Sequence, residues 1–240
     1  MKIAIFPGSF KPPHLGHIQM IEELITAPSP FSDIYIFISY KPRPLEPKMY
    51  MFSQLPLSDM FEILLPYDKN IKRGLTKKEY INEYDRLVDE GKIPVFNVKQ
   101  SIQIWKIYEK YLLKKYKKEL INTKLHIQIS YAPSPILSVY QLVNRLIKKE
   151  IPSNDIYLVK SKKNSSNSRF DYLKKKYPKI HTKIVTSKNP DIHSTLLRKS
   201  ILDKNYKDFI SYLPKDLSPS DKKKIWYITQ HPLTTIHSSK

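Results

Sequence analysis

Cysteine is absent from this 240-residue chain, which excludes disulfides, thiolate nucleophiles and thiolate metal sites. Glycine is scarce: Gly8, Gly16, Gly74 and Gly91 are the four, where average usage would give roughly 17. That excludes a glycine-rich P-loop and a G-x-G-x-x-G dinucleotide loop. Any close approach of backbone to phosphate is confined to the stretch from Gly8 to Gly16. Long apolar runs are missing too. Residues 34–38 are among the longest, far below the roughly 20 that a membrane span needs. Near the N-terminus, Ile3-Ala4-Ile5-Phe6 stops at Pro7, too soon for a secretory signal. Acidic residues are few, with 22 Asp and Glu against 42 Lys and Arg, so the net charge is +20. Such a balance suits anionic ligands. The expectation is a soluble, cytoplasmic protein with no membrane partner.

Apolar residues make up 40% of the chain, enough for a sizeable core. Short apolar runs alternate with helical patterns. Strands are predicted at residues 2–6, 34–38, 125–130, 155–159 and 183–186. The second is apolar at every position, as a strand covered on both faces should be. Helical spacing appears at Ile18, Ile21, Leu24 and Ile25, and at Ile104, Trp105, Tyr108, Tyr111 and Leu112. It recurs from Ile136 to Ile147 and over residues 194–202. Strands alternating with helices predict an α/β doubly wound domain with a mainly parallel five-stranded sheet and helices on both faces. Residues 44–98 exceed any ordinary connection and read as an insertion with partial helical structure, a candidate lid. Ser218-Pro219-Ser220-Asp221 carries an N-cap, a first-turn proline and an acid, predicting a helix to about Gln230. The predicted layout is therefore a main domain over 1–203, a helical extension over 204–230 and a flexible tail over 231–240.

Chemistry-bearing residues gather at two places. The first strand runs into Pro7-Gly8-Ser9-Phe10-Lys11-Pro12-Pro13-His14-Leu15-Gly16-His17, with a helix starting near Gly16. A loop feeding a helix N-terminus at a strand's carboxyl end favours an anion. His14 and His17, three apart, can face one pocket; taken alone, they also fit an ordinary turn with two surface histidines. After the fifth strand, Ser194 or Thr195 can cap a helix, and Arg198 follows one turn later on the same face. Hydroxyl, backbone N–H and guanidinium can then converge on a phosphate; an ordinary cap with a solvated arginine fits as well. Both places lie at the sheet edge where open α/β folds bind ligands.

Gly8-Ser9-Phe10-x-Pro12-x-His14-x-Gly16-His17 resembles the G-x-F-x-P-x-H-x-G-H signature of the HxGH nucleotidyltransferase superfamily. His193-Ser194-Thr195-x-x-Arg198 is similar to its I-S-S-T-x-x-R signature, with His193 in place of a serine. The wording Pro-Pro-His-Leu-Gly-His looks most like the mononucleotide adenylyltransferases of NAD synthesis. Weaker likenesses to phage- and virus-borne members lie at residues 100–105, 134–140, 160–163 and 168–170. The resemblance covers residues 1–43 and 98–203. It implies a Rossmann-like sheet that binds ATP or another nucleoside triphosphate, with Mg²⁺ held through the substrate phosphates and no protein metal ligands. A phosphate-bearing small-molecule acceptor, such as nicotinamide mononucleotide, would attack the α-phosphorus and release pyrophosphate. His14 and His17 would bind the triphosphate and the transferring phosphorus, and Lys11 the α-phosphate or the acceptor. Ser194, Thr195 and Arg198 would hold the β- and γ-phosphates, while Pro7, Gly8, Ser9, Phe10 and Gly16 shape the nucleotide loop. Many members carry a Gly-x-Asp-like turn after the fourth strand for the ribose, where this chain has Lys160-Ser161.

Further anion-binding candidates are Lys41 and Arg43 after the second strand, and Lys160, Lys162, Lys163 and Arg169 after the fourth; both groups also fit solvated basic loops. Two alternatives stand beside adenylyl transfer. One is a cytidylyltransferase using CTP and a phosphorylated alcohol. The other is a basic nucleic-acid-binding protein. Against the latter, lysines are spread from Lys114-Lys115 to Lys222-Lys223-Lys224 rather than gathered in one patch, so nucleic acid is not an expected partner. A homo-oligomer is compatible with either enzyme reading.

Overall fold

Alternation along the two innermost strands sets the architecture. In β1 (Ile3–Gly8), Ile3 and Ile5 point into one apolar layer while Ala4 and Phe6 point into another. In β2 (Asp33–Ser39), Ile34, Ile36 and Ile38 enter the second layer and Phe37 the first. Both faces are therefore covered, which is why residues 34–38 carry no charged side chain and no polar group but the Tyr35 hydroxyl. Between the two strands runs α1 (Leu15–Ile25), burying Ile18, Ile21, Leu24 and Ile25. The structure, a computed structural model, describes residues 1–132 and 134–231. Of the tail predicted over 231–240, all but His231 lies outside the described residues.

After β2 the chain forms a two-stranded antiparallel ribbon of β3 (Arg43–Pro44) and β4 (Val95–Phe96). Between these strands lie the 3-10 turns Pro47–Met49 and Phe52–Gln54, then α2 (Leu57–Leu64) and α3 (Lys77–Asp89). This stretch has its own apolar core of Met49, Phe52, Met60, Phe61, Leu64, Tyr80, Leu87 and Ile93. A reciprocal cap between Thr76 and Glu79 starts α3. Gly74 and Gly91, at φ +82° and +73°, make the left-handed turns flanking it. The insertion is thus a folded subdomain built on a ribbon, more ordered than partial helical structure suggests.

The remaining elements complete the layers: α4 (Val98–Lys115), β5 (Lys124–Ser130), α5 (Pro135–Lys148), β6 (Ile156–Ser161), α6 (Asp171–Lys176), β7 (His181–Val185), α7 (Ser194–Leu202), α8 (Tyr206–Ser211) and α9 (Pro219–Gln230). The sheet order is β5-β2-β1-β6-β7, all parallel, giving a Rossmann-like α/β fold. α5 and α6 cover one face through Val139, Val143 and Leu173. α1 and α4 cover the other, with Trp105 fully buried in that layer. The C-terminal helices and the segment between them join the same layer through Phe209, Leu213, Leu217 and Ile225, and Gln100 Nε2 donates to Ile228 O at 2.9 Å. Ser218 caps α9 as its sequence predicts, accepting from Asp221 N at 3.1 Å. Among the described residues, no helix is long and apolar enough to cross a membrane.

Candidate active site

β1 stands at the centre of the sheet, where the strand order reverses direction, and the crevice beyond its carboxyl end is the usual ligand position in such folds. The loop leaving β1 is held carbonyl by carbonyl. Phe10 O accepts from Ser101 Oγ at 2.7 Å, Lys11 O from Arg198 Nη1 at 2.8 Å and Pro12 O from Ser194 Oγ at 3.0 Å. Pro13 O takes a longer bond of 3.4 Å from Tyr108 Oη. The clamp carries a cis Lys11–Pro12 bond and a left-handed Phe10 at φ +51°, a backbone that a bulky residue seldom adopts. Phe10 is 2% exposed, edge-on to Phe6, His17 and Trp105.

This clamp delivers the two histidines as a reciprocal cap of α1. His14 Nδ1 accepts from Gly16 N at 3.1 Å, and His17 Nδ1 accepts from His14 N at 3.2 Å. Their rings lie 3.7 Å apart. Burial pulls the His17 imidazole down to about 3. Burial, then the charges of His17 and His193, pulls His14 well below the usual histidine range. Both rings are neutral at pH 7. Since each Nδ1 accepts, the hydrogen bonds assign the remaining proton of each ring to Nε2. Both rings line one cleft, so they present neutral N–H donors to it. Gly16 belongs to this arrangement: a Cβ there would meet His14 Cε1 and Ser187 Oγ at 3.1 Å each.

A consequence for stability follows from the two neutral rings. The unfolded chain takes up histidine protons near pH 6.5, while folded His17 resists to about pH 3, so stability falls as pH drops through that window. For His17 alone the loss at pH 5 is about 2 kcal/mol. Urea unfolding at pH 7 and pH 5 should show a smaller acid loss in His17→Gln, which keeps an acceptor for His14 N–H. Equal losses in the two proteins would contradict the neutral assignment.

The cleft holds about 770 Å³, within the range of small-molecule sites. Ser9 enters it from the β1 loop, Ser161, Lys162, Lys163 and Asn164 from the end of β6, and Thr186, Ser187 and residues 189–193 from beyond β7. Arg43 comes from β3 at the base of the insertion, Tyr50 from within it, and Ser194, Thr195 and Arg198 from α7. Asp191 is the sole carboxylate residue in the lining. Among the described residues, Arg43, Lys162, Lys163 and Arg198 have no ion-pair partner. The cleft is therefore cationic and suited to a polyanion.

Several expected contacts take a different form. Neither Ser194 nor Thr195 caps α7; the N-cap is His193, which makes no side-chain cap bond. Ser194 Oγ is bonded to the loop, and Thr195 Oγ1 accepts from Arg198 Nη2 at 3.1 Å. Arg198, 3% exposed, is thus a clamp on the β1 loop before it is a phosphate ligand. Its buried Nε has no partner. Among the described residues, the backbone N–H groups of Ser194 and Thr195 stand unbonded at the helix start, and both residues line the cleft. At α1 the opposite holds: Leu15 N donates to Tyr212 O and Gly16 N to His14, so imidazoles replace free amides there.

Lys11 does not reach the cleft. It is fully buried and donates to Ser39 O and Lys41 O at the end of β2. Burial, then the charge of Arg43, pulls its ammonium down to about 7. Lys41 supplies that carbonyl and leaves its own side chain in solvent. Lys160 is 6% exposed and donates to Asn167 O and Ser165 O, tying the loop after β6 to itself. Arg169 lies against the Phe170 ring and donates to Val159 O. Lys11, Lys160 and Arg169 are structural in this arrangement, and Lys41 is not among the residues lining the cleft. Pro7 is a buried β1 residue paired with Phe37. Gly8 is required by Phe10: a Cβ there would stand 2.6 Å from Phe10 Cζ.

Sequence reasoning passed over Ser101, Tyr108, Tyr50 and residues 186–191. Only Ser101 had a trace, as part of the weaker likeness at residues 100–105; the others reach the site across the fold. Among the described residues, no group of three histidine or acidic side chains could hold a metal ion. Neither the protein-family models nor the curated proteins compared with this chain match it.

Proposed function

We propose that this chain is a nucleotidyltransferase that moves a nucleoside monophosphate, AMP from ATP, onto a phosphate-bearing small-molecule acceptor such as nicotinamide mononucleotide. The observation that carries the reading is the pairing of two neutral imidazole Nε2–H donors with the open start of α7 across one cationic cleft. An acceptor phosphate oxygen attacks the α-phosphorus, the new P–O bond forms, and the bond to pyrophosphate breaks. The nucleophile is already anionic, so no protein base or covalent intermediate is needed. Catalysis then consists of alignment and of donors aimed at developing charge.

In this reading His14 and His17 donate to oxygens on the transferring phosphorus. The amides of Ser194 and Thr195 take the far end of the triphosphate, and Lys162 and Lys163 neutralise the leaving pyrophosphate. Arg198, Ser194 and Ser101 keep the loop in register. Mg²⁺ enters with the triphosphate as part of the substrate, where it offsets phosphate charge. A lining with a single carboxylate, Asp191, fits a metal carried by substrate rather than a protein cage.

The deciding measurement is pyrophosphate release with Mg²⁺, ATP or CTP, and a panel of phosphomonoesters that includes nicotinamide mononucleotide and phosphorylated alcohols. ATP with an acceptor phosphate should give acceptor-dependent release, with CTP at least about tenfold slower. A preference for CTP would reassign the base. No release from any pair would remove the proposal.

A further inference from the structure

The insertion lies outside the stretches that resemble a known family, yet it reaches into the cleft. Tyr50 follows the 3-10 turn Pro47–Met49, which packs against α7. Met49 and Phe52, on either side of it, are buried in the insertion's own core. The position of Tyr50 is thus set by packed neighbours, while the residue is 46% exposed and lines the cleft. Two guanidinium groups share its ring: Arg43 lies over it at 4.7 Å from the centroid and Arg198 at 5.6 Å. Among the described residues, no carboxylate pairs with either one. Attraction to the ring face offsets part of their mutual repulsion, and it gives Arg43, which has little else to hold it, a fixed seat.

The two arginines differ in what they have left to offer. Arg198 is committed through Nη1 to Lys11 O and through Nη2 to Thr195 Oγ1. Arg43 makes one long bond, from Nε to Ser9 Oγ at 3.4 Å, so its outer N–H donors are uncommitted. An uncommitted planar fork beside a cationic cleft matches a phosphate dianion, which takes two parallel N–H donors. We infer that Tyr50 is a positioning residue for the acceptor: its ring seats Arg43 so that the guanidinium grips a terminal phosphomonoester there. The inference rests on the nucleotidyl-transfer reading and places acceptor recognition in the insertion, while the sheet edge keeps the nucleotide.

Inorganic phosphate serves as the probe, titrated calorimetrically into the full chain with and without Mg²⁺ and saturating α,β-methylene ATP. The affinity of that analogue is measured first. Tyr50→Ala and Arg43→Ala should each weaken phosphate binding by at least about tenfold, with analogue affinity within about twofold of the parent. Tyr50→Phe, which keeps the ring, should bind phosphate like the parent. The inference is overturned by unchanged phosphate affinity in Tyr50→Ala, by a phenylalanine variant as weak as the alanine one, or by a parent protein that binds no phosphate. A parent that binds phosphate but not the analogue overturns the nucleotidyl-transfer reading instead.

Discussion

His17→Ala should lower kcat for pyrophosphate release at least about 100-fold, the usual consequence of losing one preorganised donor to developing charge. The ring lines the cleft and is neutral with its proton on Nε2, because Nδ1 accepts from His14 N and burial keeps a second proton off. Alanine removes that donor together with one half of the α1 cap. The cap costs about 1 kcal/mol, small beside the stability of an ordinary domain, so the fold should persist. Thermal melting read by circular dichroism, alongside kcat, separates the two effects. Turnover near the parent value in a folded His17→Ala protein would sink the assignment of the site.

The second large effect is expected at Gly8, for a reason unrelated to any ligand. A Cβ at residue 8 would stand 2.6, 2.8 and 2.9 Å from three atoms of the Phe10 ring, closer than packed atoms approach. The ring cannot swing away, since Phe6, His17 and Trp105 meet it at centroid distances of 5.4, 4.9 and 5.3 Å. Gly8→Ala should therefore destabilise by about 1–3 kcal/mol and displace His17, lowering kcat by more than about tenfold. Phe10→Leu in the same chain should recover much of the stability, giving a strongly non-additive double-mutant cycle. Were Gly8 needed for nucleotide contact alone, alanine would leave the melting temperature unchanged and Phe10→Leu would rescue nothing.

Elements whose signal is local were legible from residue order. Residues 34–38, apolar throughout, announced a strand buried on both faces, and Ser218-Pro219-Ser220-Asp221 announced the start of α9. The predicted helix over 194–202 coincides with α7. The short α6 and α8, six residues each, were missed, because a helix of under two turns carries too little periodicity to stand out. The insertion's separate core was missed for another reason. Met49, Phe52, Met60 and Leu87 belong together only through contacts between elements, which no window of sequence contains.

Within the site, residue type told less than partner. By sequence, Lys41, Arg43, Lys160, Lys162, Lys163 and Arg169 are anion-binding candidates because all are cations after strand ends, and the family resemblance gives Lys11 a phosphate role. The structure divides them by whether a backbone carbonyl lies within reach. Lys11 and Lys160 find such carbonyls and are buried, whereas Arg43, Lys162 and Lys163 face the cleft. Arg198 changes character in the same way, since Lys11 O and Thr195 Oγ1 occupy its Nη groups.

By itself the sequence determined three things. The absence of cysteine and the scarcity of glycine removed thiol chemistry and glycine-rich phosphate loops. Strand–helix alternation dictated a doubly wound sheet. The spacing of His14, Gly16 and His17 placed two imidazoles at one helix start. Only the tertiary structure decided their protonation and the purpose of the glycines. A histidine's tautomer depends on which N–H meets its Nδ1, and a glycine's necessity on which atoms would meet its missing Cβ. Gly16 makes room between His14 and Ser187, and Gly8 makes room for Phe10. Both are contacts between segments that residue order does not specify.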